Sequence, residues 1–141
     1  NSKRKILLTK KVETIFNGNL KGKKVSFLGV TFKPNTDDMR EASSIPMINY
    51  LNKKGSKIRY YDPSGRKKEF DKLKNVKFYS GISSACIKSD LIIVHTEWNA
   101  FKLLDFKRLV KKNNFKVFDM RNIYSHDKMR DLKIDYTSIG R

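Results

Sequence analysis

Residues 24–46 read "KVSFLGVTFKPNTDDMREASSIP" and join an apolar segment to the start of a helix through a long charged loop. Length and β-branched content predict a buried strand over residues 24–30. Ser43 or Ser44 is placed to cap a helix that has Pro46 in its first turn. A strand–loop–helix unit of this kind is typical of an α/β fold, and the loop holds more charge than a simple connection needs.

The rest of the chain repeats the alternation of strand and helix. Further strands are predicted at residues 57–62, 76–80, 90–96, 115–121 and 135–139. Helices are predicted at residues 2–16, 66–73, 82–89, 100–112 and 125–132, besides the one that Gly55 ends. The pattern predicts an α/β, Rossmann-like, doubly wound sheet. We expect five to six mostly parallel strands in the order 3-2-1-4-5-6, with helices on both faces.

Composition limits the class of protein. The chain has 141 residues, of which 38% are hydrophobic, so it is long enough for one domain with its own core. It contains no apolar run near the roughly 20 residues of a membrane span and no signal-peptide pattern, so no membrane partner is expected. Its single cysteine, Cys86, cannot form an internal disulfide, which predicts a cytoplasmic location.

The charge balance allows a second class of protein, one that binds nucleic acid. Thirty-two Lys and Arg against 14 Asp and Glu give a net charge of +18, which would attract a nucleic acid backbone. The lysines are spread along the whole chain, however, with no arginine-rich arm and no aromatic–basic RNA-binding motif. A lysine-rich solvated surface without a specific nucleic-acid partner is favoured, and a non-enzymatic basic nucleic-acid-binding module stays as an alternative.

Three predicted loops should meet at one edge of the sheet. In a doubly wound sheet, ligands bind beyond the carboxyl ends of the strands, at the switch point between the first and fourth. The loop after the first strand carries Lys33 and Arg40, the loop after the fourth reads "EWNAF" (residues 97–101), and the loop after the fifth carries Arg121. Three cations suit an anionic ligand such as a pyrophosphate, and the acidic residues of the first loop are expected to keep them ordered. The alternative is that these side chains are solvated loop residues without a ligand.

Several familiar site motifs are missing. The first strand–helix junction offers only Gly29, so it lacks the G-x-G-x-x-G turn on which a dinucleotide normally lies. Asp62 stands where a ribose-binding acid often sits, but "DPSG" favours a plain turn. Cys86 is predicted to be a small buried hydrophobe rather than a nucleophile. His95 and His126 share no spacing typical of a metal site, so no metal and no catalytic pair are predicted.

The motifs "LGVTFKPNTDDMREASS", "YYDP", "IIVHTEWNAF", "FDMRNIY" and "YTSIGR" together resemble the C-terminal, UDP-binding domain of bacterial UDP-glucose 6-dehydrogenases. These enzymes form part of the UDP-glucose/GDP-mannose dehydrogenase family. The resemblance covers residues 21–141, which it implies are the UDP-binding domain. Residues 1–20 look like the helix that leads from a central region, so the chain is expected to be a piece of a longer protein.

The resemblance implies a function for the complete protein. Such an enzyme oxidises UDP-glucose to UDP-glucuronate with two NAD⁺, binds NAD mainly in an N-terminal domain, is a homodimer, and serves polysaccharide synthesis. Phe32, Lys33 and Arg121 match positions that bind the UDP-sugar, and Arg40 matches an arginine that reaches the cofactor. The catalytic cysteine motif lies outside this sequence, so the chain alone is expected to be inactive. A domain of a UDP-N-acetylhexosamine dehydrogenase, which shares the architecture, stays as an alternative.

Overall fold

Six parallel strands form one sheet in the order β3-β2-β1-β4-β5-β6 in the computed structural model, which describes residues 2–140. The strands are β1 (Lys24–Leu28), β2 (Lys57–Tyr61), β3 (Val76–Phe78), β4 (Leu91–Val94), β5 (Lys116–Asp119) and β6 (Asp135–Ser138). Every neighbouring pair is parallel. The predicted fold class and strand order are confirmed.

Helices cover both faces of the sheet. They are α1 (Ser2–Ile15), α2 (Ser44–Lys53), α3 (Ile82–Cys86), α4 (Phe106–Val110) and α5 (His126–Asp131), with 3₁₀ turns at Lys68–Phe70 and Asn99–Phe101. Within residues 2–140, no helix is long and apolar enough to cross a membrane.

Strand β4 shows how the two faces are separated. Its side chains are all buried, and they alternate between two cores, as the period of a strand requires. Leu91 and Ile93 pack in the core under α1 and α2, whereas Ile92 and Val94 pack in the core under α3, α4 and α5. A strand that is buried on both sides reads as a continuous apolar run, which is why β4 was identifiable as central.

Two predicted helices differ most from the structure. The helix expected over residues 100–112 is split, because the Asp105 carboxylate accepts a hydrogen bond from the Arg108 amide at 3.3 Å and starts α4 there. The helix ends at Val110, and the next residue, Lys111, adopts a left-handed conformation with φ 54°. Leu103, one of the apolar residues of that predicted helix, is 98% exposed. The helix expected over residues 66–73 is a single 3₁₀ turn.

The carboxyl ends of the central strands lie at one level. Leu28 at the end of β1 is in register with Tyr61 of β2 on one side and with Val94 of β4 on the other. The chain leaves β1 through Gly29, which has φ +78°, and a Cβ there would lie 2.7 Å from the Cβ of Thr96. Only glycine fits at this point, and it lets the loops after β1 and β4 meet at the switch point.

Candidate functional site

The Arg121 guanidinium joins the three loops at the switch point. Its Nε donates a hydrogen bond to the backbone carbonyl of His95 at 2.8 Å, and its Nη2 donates to the carbonyl of Phe32 at 3.1 Å. The Glu97 carboxylate lies 3.9 Å from Nε. Because Arg121 follows β5, His95 follows β4 and Phe32 follows β1, one side chain fixes the relative positions of all three loops.

A buried carboxylate supports Arg121 from below. Asp119, the last residue of β5, accepts a hydrogen bond at Oδ1 from the Arg121 amide at 3.0 Å. Its Oδ2 accepts from the Tyr124 amide at 3.0 Å and from the Tyr136 hydroxyl at 2.6 Å. The carboxylate therefore curls the chain after β5 back over the strand end and directs Arg121 towards β4 and β1.

Thr31 organises the start of the first loop. Its carbonyl accepts a hydrogen bond from the Thr96 hydroxyl at 2.7 Å, which ties the loop to the end of β4. Its own hydroxyl accepts from Trp98 Nε1 at 3.3 Å and donates to the Lys33 carbonyl at 2.9 Å. The backbone of residues 31–33 is thus held in place, while the side chains of Phe32 and Lys33 are exposed.

Asp62 has a structural role at the end of β2. Its Oδ2 accepts a hydrogen bond from the Val30 amide at 2.8 Å, and its Oδ1 accepts from the amide and the hydroxyl of Ser64. The residue is 1% exposed. The predicted turn at "DPSG" is confirmed, because the carboxylate is fully used in shaping this turn and the first loop.

His95 is a buried histidine between two hydroxyl groups. Its Nε2 lies 2.9 Å from the Ser43 hydroxyl oxygen, and its Nδ1 lies 2.8 Å from the Thr96 hydroxyl oxygen. Burial, with the nearby Arg121 cation as a smaller cause, lowers the pKa of His95 from 6.5 to about 3. The imidazole is therefore neutral near pH 7.

The start of α2 differs from the predicted cap. Ser43 occupies the position before the helix, but its backbone is already helical, at φ −68° and ψ −14°, and its side chain makes no capping bond. The hydroxyl bonds to His95 instead. Ser44, the other predicted cap, donates its hydroxyl to the Val30 carbonyl at 2.5 Å, so both serines fasten the helix to the strand ends.

Arg40 is held by its own loop. Its Nε and Nη2 donate to the two carboxylate oxygens of Asp38, each at 3.0 Å, and this pairing lowers the pKa of Asp38 to about 2. The expectation that an acidic residue orders a loop cation is confirmed for this pair. The Arg40 side chain is 88% exposed, so it points away from the domain with its orientation already set.

The exposed groups at the switch point border a cleft of about 140 Å³. Phe32 and Arg121 line it together with Ser43, and Glu41 and Met120 complete this side. The opposite wall comes from α1, through residues that sequence reasoning missed: Arg4, Lys5 and Leu8. The basic run "KRK" in that helix was the available signal.

The structure brings together two of the four predicted site residues. Phe32 and Arg121 line the cleft, whereas Lys33 and Arg40 are not among its lining residues. Lys33 is exposed on the loop beside Phe32, and Arg40 is directed by Asp38. The three predicted cations therefore belong to one loop cluster but do not share one cavity.

Cys86 is excluded as a nucleophile. It is completely buried in the core under α3, and burial raises the pKa of its thiol to about 12. The predicted identity as a small buried hydrophobe is confirmed. Within residues 2–140, no group of three or more His, Cys, Asp or Glu side chains is arranged to hold a metal ion.

A doubly wound parallel sheet with a basic cleft beyond the ends of β1, β4 and β5 defines a nucleotide-binding domain of the Rossmann-like class. Comparison with protein families narrows this class. Residues 26–126 match the UDP binding domain of the UDP-glucose/GDP-mannose dehydrogenase family. The chain belongs to this family, and the resemblance expected from its motifs is confirmed.

Two curated relatives are named UDP-glucose 6-dehydrogenase. The chain is 36% identical to UDP-glucose 6-dehydrogenase of Rhizobium meliloti over 144 residues, covering 100% of this chain and 32% of the relative. It is 32% identical to UDP-glucose 6-dehydrogenase TuaD of Bacillus subtilis over 145 residues, covering 100% of this chain and 31% of the relative. The chain thus spans about a third of the length of the curated relatives it matches.

Solved structures show the same architecture. A UDP-glucose dehydrogenase from Pyrobaculum islandicum superposes with a TM-score of 0.74 at 26% identity, covering 97% of this chain and 29% of that chain. An NDP-N-acetyl-D-galactosaminuronic acid dehydrogenase from Methanosarcina mazei gives a TM-score of 0.79 at 24% identity, covering 98% of this chain and 29% of that chain. At 24% identity, the likeness to the Methanosarcina mazei structure concerns the fold alone.

Proposed function

We propose that this chain is the UDP-sugar-binding part of a UDP-glucose 6-dehydrogenase, whose complete form oxidises UDP-glucose to UDP-glucuronate with two NAD⁺. The observation that carries the proposal is the cleft of Phe32 and Arg121 in a domain of the UDP-binding family. Residues 21–141 form the binding domain in this proposal. Residues 1–20 lead into it from the central region of the longer protein.

The cleft residues suit the parts of a nucleotide sugar. Within residues 2–140, the Arg121 guanidinium makes two hydrogen bonds: Nε and Nη2 each donate one to a backbone carbonyl. Its remaining N–H groups can donate to diphosphate oxygens. Phe32 is 48% exposed and offers an apolar face to the uracil or the sugar ring. Lys33, on the same loop, adds a positive charge that can move towards the phosphates.

The first turn of this domain does not fit a dinucleotide. Gly29 is its one glycine, whereas a dinucleotide turn uses several, and Thr96 lies directly against Gly29, 2.7 Å from where a Cβ would stand. We therefore assign NAD mainly to the absent N-terminal domain, and we place no catalytic residue in this chain. Arg40, exposed and oriented by Asp38, is suited to reach a cofactor held by that other domain.

The partner and location follow from the same proposal. Ile6 and Leu7 on α1 are 55% and 65% exposed, and this apolar surface suits contact with the rest of a homodimeric enzyme. A cytoplasmic location suits a chain whose single cysteine is free and buried. The product of such an enzyme, a uronic acid nucleotide, would serve the synthesis of anionic polysaccharides.

Calorimetric titration of the chain with UDP tests the proposal. Arg121→Gln should weaken binding about 10-fold or more, because a hydrogen bond to a charged group contributes roughly 1.5–3 kcal/mol. Lys33→Ala should weaken it less and leave thermal stability unchanged, since Lys33 is an exposed loop residue. Lys102→Gln, an exposed lysine outside the cleft, removes one positive charge as Arg121→Gln does and is the matched control.

Equal losses in Arg121→Gln and Lys102→Gln would show that UDP binds only to the general positive charge, and the site would be wrong. The net charge of +18 keeps a nucleic-acid-binding module as the second candidate. That candidate requires duplex or single-stranded DNA to bind tightly near physiological salt. Turnover of UDP-glucose and of UDP-N-acetylhexosamines by the complete protein separates the two dehydrogenase activities.

A further inference from the structure

The partners of His95 determine which of its nitrogens carries the proton. The Thr96 hydroxyl lies 2.7 Å from the Thr31 carbonyl, which can only accept, so the single hydroxyl proton of Thr96 points there. His95 Nδ1, 2.8 Å from the same hydroxyl oxygen, must then be the donor. A neutral imidazole has one N–H, so Nε2 carries the lone pair. At 2.9 Å, Nε2 accepts the hydroxyl proton of Ser43.

This arrangement sets the chemistry that Ser43 offers to the cleft. Its hydroxyl has one proton, which is directed at His95, so only the oxygen lone pairs remain for a ligand. Ser43 lines the cleft beside Phe32 and Arg121. Its oxygen therefore repels a phosphate oxygen, which is also an acceptor, and suits a ligand group that donates a proton.

The pair is not a nucleophile with its base. A serine bonded to histidine Nε2 has the geometry of such a dyad, but His95 donates at Nδ1 to a threonine rather than to a carboxylate. Burial lowers the pKa of His95 to about 3, which makes the imidazole a very weak base at neutral pH. The pair therefore orients a hydroxyl and does not activate it.

We propose that His95 is a positioning residue that fixes the Ser43 hydroxyl as a hydrogen-bond acceptor, so that the cleft selects a ligand hydroxyl next to the phosphates held by Arg121. The inference rests on the proposed function and deepens it. Arg121 and Ser43 then divide the ligand between them: the arginine takes the anionic part, and the serine takes a sugar or ribose hydroxyl. Both depend on the same residue, because Arg121 bonds to the His95 carbonyl while Ser43 bonds to the His95 ring.

Binding of three probes to the chain tests this division. Ser43→Ala should weaken UDP or UDP-glucose about fivefold, the value of one neutral hydrogen bond. It should not weaken inorganic sulfate, which stands for the anionic part of the ligand and carries no proton to donate at neutral pH. A loss already seen with UDP assigns the donor to the nucleoside, whereas a loss confined to UDP-glucose assigns it to the hexose.

The role of His95 is tested in combination with Ser43. His95→Leu keeps a side chain of similar size but frees the Ser43 proton to rotate, which should weaken UDP-sugar binding about two- to threefold. In the Ser43→Ala background the same change should have no further effect. His126 and Ser138 form a second Nε2–hydroxyl pair, also at 2.9 Å, that does not line the cleft. His126→Leu and Ser138→Ala are the matched controls and should leave affinity unchanged.

The nitrogen NMR shifts of the His95 ring give a readout without ligand. We expect a protonated Nδ1 and a bare Nε2 from pH 5 to pH 8. A proton on Nε2, or equal effects of His95→Leu in both Ser43 backgrounds, would overturn the inference while leaving UDP binding intact. Failure of the unaltered chain to bind either UDP or UDP-glucose would instead overturn the proposed function, and with it the ligand assigned to Ser43.

Discussion

Replacing His95 with leucine should remove most of the acid sensitivity of folding between pH 8 and pH 5. In the folded protein the ring is completely buried and stays neutral until the pH approaches 3. In the unfolded chain the same ring takes up a proton near its ordinary pKa of about 6.5. Between these values the unfolded state binds one proton more than the folded state, so acid favours unfolding.

The size of the effect follows from the two pKa values. Each pH unit in this window changes the free energy of unfolding by about 1.4 kcal/mol for one proton. At pH 5 the solution is about 1.5 units below the unfolded pKa of His95 and well above the folded one. Protonation of His95 in the unfolded chain should therefore lower the free energy of unfolding by about 2 kcal/mol relative to pH 8. Carboxylates titrate mainly below this range, which leaves His95 as the main source of the slope.

Urea unfolding at a series of pH values measures this quantity directly. The unaltered chain and His126→Leu should lose about 2 kcal/mol of stability from pH 8 to pH 5, and His95→Leu should lose much less. The absolute stability of His95→Leu can differ at all pH values without affecting the comparison, because the slope is what is tested. An unchanged slope in His95→Leu would refute the reasoning, since another group would then be taking up the proton.

Three further predictions concern residues that shape the site. Gly29→Ala should lower the free energy of unfolding by about 3 kcal/mol, because the backbone is left-handed and the added Cβ would clash at 2.7 Å. Gly65→Ala is the control: its φ is also positive, but nothing lies within 4 Å of the added Cβ, so it should lower the free energy of unfolding by about 1 kcal/mol. Equal losses in urea titrations would contradict the close approach. Asp62→Ala should destabilise the chain by about 1–3 kcal/mol, because it leaves the buried Val30 amide without its acceptor, and an unchanged urea midpoint would exclude this role. Cys86, with its pKa raised to about 12, should react with a thiol reagent at pH 8 only after unfolding, and rapid labelling of the native chain would show that the thiol is accessible.

The sheet could be predicted from sequence because its signals are local and repeated. Short apolar strands alternate with helical segments, and the most apolar one, over residues 90–96, contains β4 at the centre. The rules of parallel crossover connections then leave few possible strand orders. The error over residues 100–112 has a physical cause. The Asp105 side chain accepts a hydrogen bond from the Arg108 amide and starts a new helix there, and Leu103 lies in solvent rather than against the sheet.

The site was less predictable because it depends on distant contacts. The pattern placed Arg121 at the correct edge of the sheet, but not its bonds to the carbonyls of His95 and Phe32. Ser43 was interpreted as a helix cap, a role set by sequence neighbours, although its partner lies 52 residues away. The wall contributed by α1 was missed for the same reason, since no local pattern indicates which surface a helix places opposite a loop.

The loop that follows β1 combines a fixed backbone with exposed side chains, and this division explains its unusual charge. Thr31 is buried, and its carbonyl and hydroxyl are both hydrogen-bonded, whereas the next two residues, Phe32 and Lys33, present their side chains to solvent. A binding group on a rigid backbone loses less conformational entropy when a ligand arrives than the same group on a mobile loop. Substitutions in the loop should therefore separate into two kinds. Changes at Thr31 should reduce stability and affinity together, and changes at Lys33 should reduce affinity alone.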